Sequence, residues 1–356
     1  MQHPLPLKVG NRRVGPGEPT YVIAELSCNH LGNYDRAVAI LEAAHAAGAD
    51  AIKLQTYTPD TMTLDCDSDL FKIADDTPWA GRTEYDVYKE AYTPWEWHPK
   101  LKQVAERLGL DFFSTPYDAT AVHFLEKLEV PLYKVSSFEL TDVPLLRALA
   151  ATGKPIIAST GLATLQEITE AVNAVRSQGE IPLALLRCVS AYPAPAEAMH
   201  LSNITDMASR FNVVAGLSDH SIGSAIAIAA VAVGASVIEK HLTLARADGG
   251  ADGAFSAEPH EFKAMVDGIR IAEKAVGSIS YGPVEQEEKL VLSRRSLFVV
   301  KDMRRGETFT EANVRAIRPG HGLPPKHFDE ILGRAAARDI TRGTPLQFEL
   351  IAQATS

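Results

Sequence analysis

Val213-Val214-Ala215-Gly216-Leu217-Ser218-Asp219-His220, an apolar helical stretch, and then Ser236-Val237-Ile238-Glu239-Lys240-His241-Leu242 form the segment on which the chain turns. Two short β-branched runs flank small residues at helical spacing, which is the pattern of a βαβ unit. Each run carries a histidine at its end. In parallel α/β folds the C-terminal ends of strands face the ligand, so both imidazoles are expected on one side of the sheet. One reading makes them hydrogen-bonded structural histidines, a common role for imidazole. The other makes them a convergent pair for a divalent metal, and equivalent positions at two strand ends favour it.

The alternation extends toward the N-terminus. Residues 21–27, 51–57, 111–116, 132–137, 155–161 and 183–189 read as further strands, with helices near 34–47, 95–108, 144–151, 165–177 and 259–276. Eight strand–helix repeats are the count of a (β/α)8 TIM barrel, whose reactive groups sit at the C-terminal strand ends. An open doubly wound sheet is the alternative, but no GxGxxG follows the first strand. The polar, aromatic-rich excursion over 58–93 is long enough to suggest a functional or mobile loop.

The barrel is expected over 1–277, followed by a linker over 278–293 and a β-rich domain over 294–356. That last part repeats itself: Asp302-Met303-Arg304-Arg305-Gly306 and Asp339-Ile340-Thr341-Arg342-Gly343 share Asp-x-x-Arg-Gly within apolar flanks. Such an echo predicts a pseudo-symmetric β unit, too small to be robust alone.

At 356 residues the chain has room for both domains, and its net charge of −10 argues against a nucleic-acid surface. The three cysteines, Cys28, Cys66 and Cys188, lie far apart without CxxC spacing, which suits a reducing compartment. The opening Met1-Gln2-His3-Pro4-Leu5-Pro6 lacks a signal-peptide core, and the apolar run 225–235 is too short to span a bilayer. A cytoplasmic protein without membrane partners is expected.

The predicted strand ends gather Glu25, Lys53, Gln55, Thr115, Lys134, Ser137, Glu139, Ser159, Ser190, Tyr192, Ser218, His220, Glu239 and His241. Polar side chains are poor barrel filling, so this many at matching positions read as one pocket. Lysines and hydroxyls suit a phosphate. Histidines with carboxylates suit a metal, and Glu25 and Glu139 are candidates for proton transfer. Glu239 is read as facing outward and is left outside the site. His30 reads either as catalytic or as shaping its loop.

Ala24-Glu25, Asn29-His30, Gly48-Ala49-Asp50-Ala51-Ile52-Lys53-Leu54-Gln55, Ser114-Thr115-Pro116, Tyr133-Lys134, Ser159-Thr160-Gly161, Leu217-Ser218-Asp219-His220 and Glu239-Lys240-His241 together resemble the sialic acid synthase family. Ile317-Arg318-Pro319-Gly320-His321-Gly322 resembles the antifreeze-like (SAF) domain that such enzymes carry. The resemblance implies condensation of phosphoenolpyruvate with an acetamido sugar aldehyde. It implies that His220 and His241 bind a divalent metal, most often Mn2+, with Mg2+ or Co2+ possible. Lys53, Thr115, Lys134, Ser137, Ser159 and Ser218 would hold phosphoenolpyruvate. Glu25 and Glu139, with Lys53 and Lys134, would be catalytic, and Gln55, Tyr192 and Asp252 would face the sugar. Arg318 would reach it from the partner subunit of a domain-swapped homodimer. Ser136-Ser137-Phe138-Glu139 and Ser190 depart from the Gly-Ser-Gly-Glu and Asn usual in sialic acid synthases, and point to the branch that makes pseudaminic acid. Trp79, Trp95 and Trp97 read either as an aromatic lid over the sugar or, for the last two, as a helix anchor.

Overall fold

The computed structural model describes residues 4–73 and 81–353. The chain divides into two compact units, Met1–Gly277 and Ser278–Ser356. Among the described residues of the first, eight parallel strands close into a barrel. They are β1 Tyr21–Glu25, β2 Ala51–Thr56, β3 Asp111–Pro116, β4 Tyr133–Val135, β5 Ile156–Ser159, β6 Leu183–Cys188, β7 Val214–Asp219 and β8 Val237–His241. Closure is made by β8 pairing with β1, Val237 opposite Tyr21 through His241 opposite Glu25, which rules out the open sheet. These strands are apolar on both faces because one side fills the barrel and the other lies under helices.

Local signals set the connections. The helix Tyr34–Ala47 starts where the Asn33 side chain accepts from Arg36 N, and it stops at Gly48, whose φ of 87° suits a residue without Cβ. A hairpin of Leu7–Val9 with Arg12–Val14 buries Leu7, Val9 and Val14. Its Arg12 reaches Asp50 at 2.7 Å and Asp111 at 3.6 Å, beside the starts of β2 and β3. This charged network sits at the barrel's N-terminal end, where barrels keep stabilising rather than reactive groups.

The described parts of the 58–93 excursion include the helices Pro59–Met62 and Glu84–Ala91; Trp79 lies outside the described residues. Trp95 stacks on Phe124 and donates from Nε1 to Tyr57 O at 3.0 Å. Trp97 packs edge-on against His30 and Tyr34. Both therefore anchor the entry to the helix His98–Leu108.

His98 itself is buried, with Nε2 2.8 Å from Thr56 Oγ1 and Nδ1 3.3 Å from Pro94 O. Burial lowers its pKa from 6.5 to about 4. The unfolded chain thus binds a proton that the folded chain refuses between these values, and stability falls as pH drops from 6.5 toward 4. The full loss is about 3 kcal/mol. Denaturant unfolding at pH 7 and pH 4.5 is expected to show a drop that His98→Gln reduces, the buried His30, likewise lowered to about 4, contributing its own share; an equal drop in both proteins would refute it.

In the second unit Ser296–Val299 pairs antiparallel with Val314–Ile317. The sequence echo has a physical counterpart. Met303 and Ile340 bridge one another, Asp302 Oδ1 accepts from Arg342 N at 2.7 Å, and Asp339 Oδ1 accepts from Arg305 N at 2.8 Å. Each Asp-x-x-Arg-Gly turn therefore caps the other. The stretch 278–293, read as a linker, holds a 3-10 helix, Glu285–Ser293, entered where Val284 N donates to Glu287. No helix among the described residues is long and apolar enough to cross a membrane.

Candidate active site

Lys134 on β4 and Glu239 on β8 stand on opposite staves, yet Lys134 Nζ lies 3.7 Å from Glu239 Oε1. Only a path through the barrel interior allows that contact. Lys53 Nζ is 2.6 Å from Glu25 Oε2, 3.2 Å from Thr115 Oγ1 and 3.6 Å from Glu239 Oε1. Lys134 Nζ donates to Ser159 Oγ at 2.7 Å and to Val135 O at 3.0 Å. Ser218 Oγ donates to Glu239 Oε1 at 3.1 Å. Two ammoniums and two carboxylates thus interleave in a space from which water is largely excluded.

Their electrostatics follow from that packing. Burial raises the Glu25 carboxyl, against the pull of Lys53. Burial also lowers the Lys134 ammonium, with Glu239 opposing. Burial works against charge on Glu239 too, but Lys134 and Lys53 outweigh it and hold its carboxyl low. Glu239 is what lets two lysines stay charged side by side.

Glu239 is a correction to the sequence reading, which placed it outside. Strand side chains alternate, so an inward His241 requires an inward Glu239 two residues earlier. That signal was available in the sequence.

His220 and His241 come together at this end of the barrel, ring centroids 5.3 Å apart. His220 Nδ1 lies 2.9 Å from Val189 O, which assigns its proton there and leaves the Nε2 lone pair free for a ligand. Burial holds the His241 imidazole well below its usual range, which favours its neutral form. Its Nδ1 is buried without a hydrogen-bond partner among the described residues, 3.5 Å from Asp252 Oδ2. Tyr192 packs on His220 at 4.5 Å and Phe255 on His241 at 5.0 Å. Two ligand-competent imidazoles, one with an orphaned nitrogen, fit a divalent ion. No set of three or more His, Cys, Asp or Glu side chains in ligating arrangement occurs among the described residues.

The sharp turn after β1 puts Ser27 at a φ of 47°, a conformation rare outside glycine. Its Oγ thereby joins Gln55, which donates at 3.1 Å, to Asp252, to which it donates in turn. Ser27 had no motif to announce it. Ser137 Oγ accepts from Gly161 N at 3.0 Å. A Cβ on Gly161 would fall 2.4 Å from Ser190 Oγ and 2.6 Å from Ser137 Oγ, so the hydroxyls need glycine there. Glu139 is half-buried on the turn after β4, bonded to Ser136, and burial raises its carboxyl.

His30 proves to shape its loop: Nδ1 accepts from Gly32 N at 3.0 Å and Nε2 meets Thr93 Oγ1 at 3.1 Å. Cys28 and Cys188 are buried, the latter 3.8 Å from His220 Nδ1. Arg318 belongs to the second unit, exposed immediately after the strand Val314–Ile317.

A closed barrel whose C-terminal mouth holds paired ammoniums, hydroxyls and two imidazoles defines a class, a (β/α)8 enzyme built around a small anionic substrate. The chain belongs to the NeuB family, whose model matches residues 40–281, and the SAF domain model matches residues 294–352. It is 41% identical over 344 residues to the pseudaminic acid synthase of Campylobacter jejuni, covering 96% of this chain and 98% of that protein. To the pseudaminic acid synthase of Helicobacter pylori it is 42% identical, covering 92% of this chain and 97% of that one. The crystal structure of N-acetylneuraminic acid synthetase from Leptospira borgpetersenii with citrate superposes with a TM-score of 0.73 at 30% identity, over 82% of this chain and 97% of that one.

Proposed function

We propose that this chain condenses phosphoenolpyruvate with the open-chain aldehyde of 2,4-diacetamido-2,4,6-trideoxy-altropyranose, giving pseudaminic acid and inorganic phosphate. The observation that carries the reading is the buried pair Lys53 and Lys134 sharing Glu239, on the same strand as His241, whose ring packs against His220, in a chain similar along its length to pseudaminic acid synthases.

Lys53, Lys134, Thr115, Ser137, Ser159 and Ser218 bind the enol phosphate and its carboxylate, since point charges and short donors suit both groups. Gln55, Tyr192 and Asp252 face the sugar. C3 of phosphoenolpyruvate attacks the aldehyde carbon, positive charge develops at C2, and water adds there. The tetrahedral adduct then expels phosphate by breaking its C–O bond. Glu139 gives a proton to the new alkoxide, and Glu25, kept partly protonated by burial, orients the water and exchanges protons with it. His220 and His241 would hold a divalent ion, Mn2+ in preference to Mg2+ or Co2+, which when bound withdraws electron density from the aldehyde oxygen.

The same reading makes the protein a cytoplasmic homodimer in which each SAF domain covers the partner's barrel and Arg318 reaches the sugar's acetamido group. An apolar rim supports it. Leu31, Phe138, Leu162 and Ile222, from the loops after β1, β4, β5 and β7, are all exposed at the mouth. In the second unit Ile279 and Tyr281 are 92% and 96% exposed. Surfaces of this kind mark an interface. Light scattering on the eluting protein is expected to give a dimer mass, and Ile279→Asp with Tyr281→Asp a monomer; a wild-type monomer at micromolar concentration would refute the assembly.

Phosphate release from phosphoenolpyruvate with Mn2+ and a panel of acetamido sugars tests the reaction. Release only with N-acetylmannosamine would assign the chain to neuraminate synthesis, and release only with the legionaminate precursor to that branch. No release with any sugar would leave a non-catalytic sugar-binding barrel.

A further inference from the structure

We propose that Asp219 and Lys240, on the outer face of β7 and β8, and Ser221, in the turn after β7, are positioning residues that set the spacing of His220 and His241; the proposal rests on the metal reading above. Lys240 opposite Asp219 is the last registered pair between these strands, and each histidine is the next residue along. Alternation sends the histidines into the barrel and this pair to the other face.

The contacts wrap the histidine-bearing turn. Asp219 Oδ1 accepts from Ser221 N at 2.9 Å and from Ser221 Oγ at 2.6 Å, closing a turn across His220. Lys240 Nζ donates to Asp219 Oδ2 at 2.7 Å and to Ser221 O at 2.7 Å, so one ammonium grips both sides of His220 from the residue preceding His241. All three side chains are buried, Asp219 1%, Ser221 4% and Lys240 2% exposed.

A buried ion pair seldom returns its desolvation cost as stability, and an apolar pair of similar volume holds strands together equally well. What directional bonds add is position. Four of them lock the backbone on either side of one imidazole to the backbone that carries the other. Partners bonded directly to metal ligands typically alter affinity by about 10- to 100-fold when removed, and a brace acting through the backbone belongs at the low end of that range.

The test measures Mn2+ affinity of the full-length protein, without either substrate, from the electron paramagnetic resonance signal of the free ion, with thermal unfolding alongside. Lys240→Met is expected to weaken Mn2+ binding about tenfold or more while KM for phosphoenolpyruvate stays within about twofold. Lys240→Arg should recover most of the affinity, because a guanidinium can donate to both acceptors. Should Lys240→Met not fold, Asp219→Asn decides the matter. It keeps an acceptor for Ser221 N, removes the charge that holds Lys240, and is expected to weaken binding severalfold. Wild-type affinity in a folded Lys240→Met or Asp219→Asn protein would overturn the positioning role alone. Failure of the wild-type protein to bind Mn2+ would overturn the metal reading and this proposal together.

Discussion

Replacing His241 with alanine is expected to abolish turnover at any Mn2+ concentration reachable in an assay. His241 and His220 are the two imidazoles that the barrel mouth offers a cation, rings 5.3 Å apart. Losing Lewis-acid activation of the aldehyde removes several kcal/mol of transition-state stabilisation, a rate loss of about 10³-fold or more. The lysine cradle is untouched by the change, so phosphoenolpyruvate should still bind, as ligand-dependent protection against thermal unfolding can show. His241→Asn, which leaves a smaller void, should be as inactive as alanine. Near-normal activity of either variant, or of the wild-type enzyme in chelated buffer, would sink the assignment of the histidine pair.

Lys134→Met should produce the second large effect, and a diagnostic one. The ammonium donates to Ser159 and Val135 and neutralises Glu239 from 3.7 Å. Truncating one partner of a buried charge pair costs about 2–5 kcal/mol, so kcat/KM for phosphoenolpyruvate should fall by about 10²- to 10³-fold. The fall should appear mainly in KM for phosphoenolpyruvate, with KM for the sugar little changed. Stability should fall as well, by about 3 kcal/mol, because buried Glu239 loses one of its two neighbouring ammoniums and keeps Lys53 and the Ser218 hydroxyl. Adding Glu239→Gln should restore much of the melting temperature, since the uncompensated charge is gone, without restoring activity. An unchanged KM in the single variant would remove Lys134 from the substrate cradle, and a double variant no more stable than the single would remove Glu239 from its role.

The charge pattern at the site explains why Glu239 escaped a residue-by-residue reading. A glutamate between Ile238 and Lys240 looks like an ordinary solvent-facing strand residue when taken alone. Counting by twos from His241 turns it inward. The opposite error threatened Trp95 and Trp97: their composition suits a sugar lid, but Trp95 is bound to Phe124 and Tyr57 O, and Trp97 to His30 and Tyr34. Sequence spacing cannot tell these outcomes apart, because partners such as Phe124 lie in another repeat of the barrel.

Read alone, the sequence determined the period of the elements, the eight-fold repeat and the placing of Lys53, Thr115, Lys134, Ser159, Ser218, His220 and His241 at strand ends. Those properties are local, set by side-chain alternation, β-branched runs and glycine stops such as Gly48. Only the tertiary structure decided which strand ends face each other across the closed barrel, and so which charges share a partner. Lys134 meets Glu239 because β4 and β8 are opposite staves. Ser27 joins Gln55 to Asp252 because a strained turn swings its hydroxyl between them. Charge balance in a buried site depends on distances between residues far apart in the chain, which closure of the barrel sets and strand periodicity does not.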